Sequence, residues 1–307
     1  METRHITRRL AIAGSGLGMA VGAAAGLAGG AMLGAAAAAP APVVLDGRRR
    51  FENKVVLVTG GTSGIGRAAA EAFAAEGGKV AFCGRREALG QEVERGIRAA
   101  GGEAFYIRAD IRREDDVRRF VESAVTRYGG LHVAFNNAGI TLQKPLHSYE
   151  VAEFDDILST NLRGVFLAMK YQIPHMMSAG GQIVVTSSTV ATTCRESQSA
   201  YVASKAALTG LVRAAALDYV KHGIRVNALL PGTTDTELVR GVAGMMAAPD
   251  AVWQIGGAQW AKDNIPTIGR MATAREMAAV ALDLAAATHP YLTGASIVVD
   301  GAMTLRA

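Results

Sequence analysis

The stretch Lys54-Val-Val-Leu-Val-Thr59-Gly60-Gly61-Thr62-Ser63-Gly64-Ile65-Gly66 decides how the rest of the chain is read. It opens as a short β-rich run, meets a cluster of glycines and passes into a helical pattern that continues through Glu76. Glycine at such a junction lets the backbone turn sharply and approach a pyrophosphate. The helix behind it offers free N–H groups and the positive end of its dipole. A glycine-rich run alone is a weak signal; its place between a strand and a helix gives it weight. Two rival loops are excluded by residue type. No Gly-Lys-Ser/Thr follows, so this is not an ATP-gripping loop, and Gly61-Thr62-Ser63-Gly64-Ile65 lacks the last glycine of the hydrolase turn G-x-S-x-G.

Working outward, the same alternation repeats. Lys79–Cys83, Ala104–Arg108, Leu131–Phe135, Gln182–Thr186 and Arg225–Leu229 read as further strands, each separated from the next by a charged or Ala-rich helical stretch. The second helix is predicted from Arg86 to Ala100, where Gly101-Gly102 ends it. Short apolar runs alternating with helices predict one doubly wound α/β domain, with a central parallel sheet covered on both faces. Composition agrees: of 307 residues half are apolar, 19% are charged and 36 are glycine, which excludes a disordered or disulfide-stapled chain. The two cysteines, Cys83 and Cys194, form neither a C-x-x-C nor a disulfide framework. Six scattered histidines without H-E-x-x-H predict no metal. The net charge of +5 includes +2 from Arg4, Arg8 and Arg9 against Glu2, and no basic cluster interleaved with aromatics points to nucleic acid.

The N-terminal segment is a separate object. Residues 10–39 carry no charge: thirteen Ala, eight Gly, one Ser and eight of Leu, Ile, Val or Met. Arg8-Arg9 precede them and Ala-Pro-Ala-Pro follows. A basic start, an apolar middle and a small-residue end describe an export signal, and the paired arginines ahead of weak hydrophobicity resemble a twin-arginine signal. A run of this length also exceeds the roughly 20 residues that span a bilayer. Glycines 14, 18, 22, 26, 30 and 34 would form one helical stripe suited to packing in lipid. Residues 1–42 are therefore expected to be an export signal or a membrane anchor, with an Ala/Gly-biased extension of no function as the third reading. Residues 43–307 form the domain. The expected location is exported, either periplasmic or anchored at the membrane through this segment alone, and the alternative is cytoplasmic.

A second chemical signal is Tyr201-Val-Ala-Ser-Lys205 at the start of a long Ala-rich helix. Residues four apart share a helical face, and an ammonium near a phenol favours phenolate and makes Tyr a usable acid/base. Ser188 follows a predicted strand end, where its hydroxyl could reach the same place. Asn161 interrupts a predicted helix.

Taken together, Thr59-Gly60-x-x-x-Gly64-x-Gly66, Asn136-Asn137-Ala138-Gly139, Asn161, Ser188, Tyr201-x-x-x-Lys205 and Pro231-Gly232 resemble, in order and spacing, the short-chain dehydrogenase/reductase family. Leu292-Thr-Gly-Ala-Ser-Ile-Val-Val-Asp-Gly301 looks like that family's closing strand. The resemblance runs from about Phe51 to Met303. It implies a Rossmann-type fold, a nicotinamide cofactor, a homotetramer or homodimer, and a dehydrogenase/reductase acting on CH–OH groups of a small carbonyl or alcohol substrate. By position, Tyr201 is the acid/base and Lys205 holds the ribose and lowers the tyrosine pKa. Ser188 holds the substrate oxygen, and Asn161 orders a water that feeds Lys205. The implied cofactor site comprises Gly60, Thr62, Ser63, Gly64, Ile65, Gly66, Arg85, Arg86, Asp110, Ile111, Asn137, Ala138, Gly139, Tyr201, Lys205, Pro231, Gly232 and Thr234. The export signal is the departure from the family pattern.

Two finer expectations follow. The second strand ends without the acid that would bind an adenosine 2′-hydroxyl, and Arg85-Arg86 stand there instead. Guanidinium groups suit a 2′-phosphate, so NADP is expected, with NAD as the alternative. Leu238, Val242, Met245, Met246, Trp253, Ile255 and Trp260 fall where relatives cover their substrate. They read either as an adaptable apolar pocket or as cover for the core or an oligomer interface. The pocket reading predicts a mainly apolar, cyclic or aromatic ketone or secondary alcohol, with a polyol as runner-up. A rival of another class is a silent nucleotide-binding scaffold.

Overall fold

The computed structural model describes residues 49–265 and 267–305; the expected signal at 1–42 lies outside them. In chain order the strands are β1 (Val55–Thr59), β2 (Lys79–Gly84), β3 (Glu103–Arg108), β4 (Val133–Asn136), β5 (Gly181–Thr186), β6 (Ile224–Pro231), β7 (Thr234–Asp235), β8 (Ala272–Thr273) and β9 (Ser296–Val299). The helices are α1 (Gly64–Ala75), α2 (Glu87–Ala99), α3 (Glu114–Tyr128), α4 (Val151–Leu158), α5 (Gly164–Gln172), α6 (Ser199–Tyr219), α7 (Glu237–Val242), α8 (Asp250–Asn264) and α9 (Ala274–Ala285).

Seven strands form one parallel sheet in the order β3-β2-β1-β4-β5-β6-β9, and β7 pairs with β8 apart from it. Every residue of β1, β4 and β6 is buried, as the near-continuous apolar runs of a sheet covered on both faces require. One apolar core, with Phe73, Val93, Ile97, Ala278 and Leu282, joins α1, α2 and α9 to the sheet. The other, with Val117, Phe120, Leu167, Leu208 and Val212, joins α3, α5 and α6 to the opposite face. The chain winds outward from β1 through β2 to β3, then returns to start the other half at β4 on β1's free side. That reversal leaves a crevice beyond the carboxyl ends of β1 and β4, where ligands of open α/β sheets bind.

The expected doubly wound domain is the one found, with shifted edges. The strand read at Leu131–Phe135 is Val133–Asn136, because Leu131 is buried ahead of the sheet pairing. The closing strand shortens to Ser296–Val299. The helix expected around Asn161 is interrupted by a π-helical turn, Ser159–Arg163, between α4 and α5. Such a bulge marks functional positions often enough to repay attention.

Candidate active site

The glycine loop is constrained at three points. Gly60 and Gly64 have φ of +69° and +52°, conformations that glycine adopts at little cost. A Cβ on Gly66 would lie 2.2 Å from the Gly60 carbonyl oxygen, so the first turn of α1 packs directly on the loop. Ser63, the N-cap of α1, makes no side-chain cap bond, and the first turn carries no acid. Its free N–H groups and dipole therefore face the crevice unneutralised. Across the loop, the Thr59 hydroxyl accepts from the backbone N–H groups of Asn137 (3.0 Å) and Ala138 (3.2 Å), locking β1 to β4 at the switch point.

From this loop a cavity of about 920 Å³ runs along the carboxyl edge of the sheet to α7. Of the residues expected at the site, all but Gly66 and Asn161 line it. Gly66 is instead part of the loop's support. Asn161 stands one layer behind the wall, fully buried, with its amide committed. Oδ1 accepts from the Ile140 N–H at 2.8 Å, and Nδ2 donates to the Ile140 carbonyl (2.9 Å) and to Ser204 Oγ (3.0 Å). Its side chain thus fixes the backbone beside Gly139.

Tyr201 and Lys205 sit one turn apart on α6, with Lys205 Nζ 5.7 Å from the centre of the Tyr201 ring. The ammonium is buried and donates to the Thr186 carbonyl at 2.8 Å. Burial pulls its pKa down to about 8. Burial pushes the Tyr201 phenol up from its ordinary value, and two groups work against that rise: a hydrogen bond with the Ser188 hydroxyl and the charge of Arg195. The lowering of the tyrosine pKa by Lys205 that the resemblance implies is not found: burial leaves the Tyr201 phenol above its ordinary value, and the opposing pull comes from Ser188 and Arg195. Ser188 leads into the 3-10 turn Thr189–Ala191, its Oγ accepting from the Val190 N–H.

A sequence profile described as Enoyl-(Acyl carrier protein) reductase matches residues 60–304. The chain belongs to the short-chain dehydrogenase/reductase family. It is similar to the 2,5-dichloro-2,5-cyclohexadiene-1,4-diol dehydrogenase of Sphingobium indicum, at 38% identity over 83% of this chain and 98% of that one. A short-chain type dehydrogenase/reductase from Mycobacterium marinum superposes with a TM-score of 0.76 at 34% identity, covering 83% of this chain and 97% of that one. Levodione reductase does so at 0.77 and 32%, covering 84% and 100%. As a member of this family the chain is an oxidoreductase acting on CH–OH groups of alcohol or ketone substrates with a nicotinamide cofactor.

Arg85 is exposed and lines the cavity, with no carboxylate paired to it among the described residues. Arg86 is committed: it donates to Glu237 Oε2 on α7 at 2.6 Å and to the hydroxyls of Ser63 and Thr62, tying the glycine loop to α7. Asp110 is held by Arg112, whose Nε lies 2.9 and 3.0 Å from its two oxygens. That pairing keeps the Asp110 carboxyl below the usual range.

The expected substrate cover divides. Leu238, Val242 and Met246 line the cavity, whereas Met245 and Trp260 do not. Trp253 is buried and donates Nε1–H to Asp235 Oδ1 at 2.7 Å, and Ile255 faces solvent. The segment thus divides between cavity lining and core packing. Sequence reasoning missed Arg195, Thr141 and Thr160, which also line the cavity. Their only signal was position, close to Tyr201, Gly139 and Asn161. Among the described residues no cluster of His, Cys, Asp or Glu could hold a metal.

Proposed function

We propose that the enzyme interconverts a ketone and a secondary alcohol with NADP(H), Tyr201 acting as the acid/base. The observation that carries this reading is that Ser188, Tyr201 and Lys205 meet in the wall of one cavity that begins at a dinucleotide-type loop, with Lys205 Nζ 5.7 Å from the Tyr201 ring centre. The residues present fit such a cofactor: Gly66 has no room for a side chain, and the end of α1 awaits an anion. When bound, the nicotinamide supplies or accepts a hydride at the substrate carbon. Ser188 Oγ holds the substrate oxygen beside Tyr201 Oη, which gives up its proton in reduction and takes it back in oxidation. Lys205, with its pKa near operating pH, is suited to pass a proton onward. Asn161 keeps Gly139 and Ile140 in place next to it.

Support for NADP over NAD comes from Arg85, a guanidinium at the end of β2 left free for a 2′-phosphate while Arg86 is spent on Glu237. The apolar faces of Leu238, Val242 and Met246, and a relative named for a cyclohexadiene diol, favour a cyclic ketone or ring alcohol. Replacing Tyr201 by Phe is expected to lower kcat by about 10³-fold or more with little change in NADPH affinity. Wild-type kcat/KM should favour NADPH over NADH. Retained turnover in the variant refutes the acid/base role, and equal or reversed cofactor preference refutes the NADP assignment.

Two further readings belong here. Exposed Phe166 on α5 and Leu217 and Val220 at the end of α6 support a homodimer or homotetramer, which light scattering checks. The uncharged run behind Arg8-Arg9 supports export to the periplasm, with or without an uncut anchor. Fractionated cells should lose the exported form when both arginines become Lys. Full-length protein confined to the cytoplasm in both cases refutes export.

A further inference from the structure

The substrate half of the cavity holds a cation that no carboxylate among the described residues neutralises. Arg195 lies on the segment between the turn Thr189–Ala191 and α6 and lines the cavity. Arg195 and Tyr201 line the same cavity, and the charge of Arg195 draws the Tyr201 pKa down against the effect of burial. Arg85 lies exposed at the cofactor end of the same cavity, and two other arginines are satisfied. Arg86, also in the cavity wall, pairs with Glu237, and the buried Arg225 donates to the carbonyls of Leu292 and Ala286. Arg195 has no such partner: Nη2 donates to the thioether of Met303 at 3.4 Å, a weak acceptor. Among the described residues no carboxylate pairs with it. Asp300, close by in sequence to Met303, is committed to its own turn, accepting from Ala302 N, Thr304 N and Thr304 Oγ1.

Two backbone outliers lie beside this contact. Of the three non-glycine residues with left-handed φ among the described residues, two flank the Arg195–Met303 contact: Ser197 at +60° and Ala302 at +64°. Strain of this kind persists where surrounding structure over-determines it, and it gathers at ligand sites. A second polar group in the same wall is unsatisfied, since the Thr141 hydroxyl is buried with no hydrogen-bond partner. Its loop is fastened to the Arg195 segment by the Lys144 N–H donating to the Ser197 carbonyl at 2.8 Å. Apolar lining comes from Leu238, Val242 and Met246, and the one carboxylate of that segment in the lining, Glu237, is paired with Arg86.

We propose that Arg195 receives a carboxylate on the substrate, so that the compound turned over is a ring ketone or ring alcohol bearing an acid group. This rests on the reaction proposed above and narrows its substrate class. A guanidinium presents paired donors that match the two oxygens of a carboxylate. Partial removal of water strengthens that pair. The apolar body then lies against α7, and the reacting oxygen falls toward Ser188 and Tyr201.

The test is calorimetric binding of cyclohexanecarboxylate and of cyclohexanecarboxamide, a neutral match in shape, to the NADP-loaded protein. Wild type should bind the carboxylate at least tenfold more tightly than the amide. Arg195→Gln should remove that difference and Arg195→Lys should keep part of it, with NADP affinity in each variant reporting that it is folded. Equal binding of the two probes by wild type overturns the proposal, as does a difference that survives in Arg195→Gln. Neither probe is turned over, so the result stands apart from the Tyr201→Phe assay. Loss of the carboxylate preference with ketone turnover intact removes the acid subsite and leaves the reaction.

Discussion

The two ends of the cavity are built by different means. At the glycine loop, backbone does the work: two left-handed glycines, a third with no room for a side chain, and the free end of α1 make a cradle from residues adjacent in sequence. At the far end, side chains do it, and they arrive from the segments around Arg195, Leu238, Met246 and Met303. A backbone cradle tolerates almost no substitution because peptide groups cannot retreat. A wall of side chains can change one residue at a time. One fold can therefore keep a common cofactor end while its substrate end diverges.

The sharpest way to break that contrast is Gly66→Ala. The added methyl would sit 2.2 Å from the Gly60 backbone oxygen and 2.6 Å from Asn137 Nδ2; the first cannot move without shifting the loop that follows β1, and the second only by giving up the bond its Oδ1 accepts from Thr186 Oγ1. Unfolding in urea should show a loss of about 3 kcal/mol, the upper range for overpacking. NADP affinity should fall by about 100-fold because the loop is displaced from the phosphates. Near-normal binding with only lost stability would mean that the cradle adapts, and the distinction between the two ends would weaken.

Lys205 sits where the two ends meet, and its effect is smaller and depends on pH. Its folded pKa of about 8 lies below the ordinary 10.5, so between those values the unfolded chain holds more proton than the folded one. Stability must then rise with pH through that window. Lys205→Met removes the titration. Between pH 7 and pH 9.5, wild type is expected to gain about 2 kcal/mol relative to the variant. Most of this window lies below the ordinary phenol range, and any Tyr201 contribution is common to both proteins. At pH 7 the variant should be the more stable of the two and lack activity. A flat difference across the window would place the Lys205 ammonium in water rather than in the wall.

What could be read beforehand follows the same division. The loop, the strand–helix alternation and the Tyr201–Lys205 pair are encoded in local spacing, and the structure brings them to one crevice. The edges of β4 and β9 shifted because pairing with neighbours, not local pattern, sets where a strand stops. Asn161 was legible as a special residue, but not as one whose amide is consumed by Ile140 and Ser204. Arg195 carried no signal beyond its nearness in sequence to Tyr201. Its partner Met303 lies 108 residues away, and no spacing rule connects them.

The smallest expected effect completes the comparison at the substrate end. Gly241 lies inside α7, and a methyl there would meet nothing nearer than the Met246 Cγ and Sδ at 3.8 Å, an ordinary contact. Alanine in place of a helical glycine restricts the unfolded chain and favours the helix by about 0.5–1 kcal/mol. For a domain of this size that corresponds to a rise in Tm of about 1–3 °C. Gly241→Ala should show this rise with NADP affinity unchanged, and the KM for a cyclic ketone should shift by less than about threefold, since Met246 can turn aside. A loss of NADP affinity near that of Gly66→Ala would mean that α7, through Glu237 and Arg86, is part of the cofactor cradle, and that the boundary between the two ends lies deeper in the substrate half.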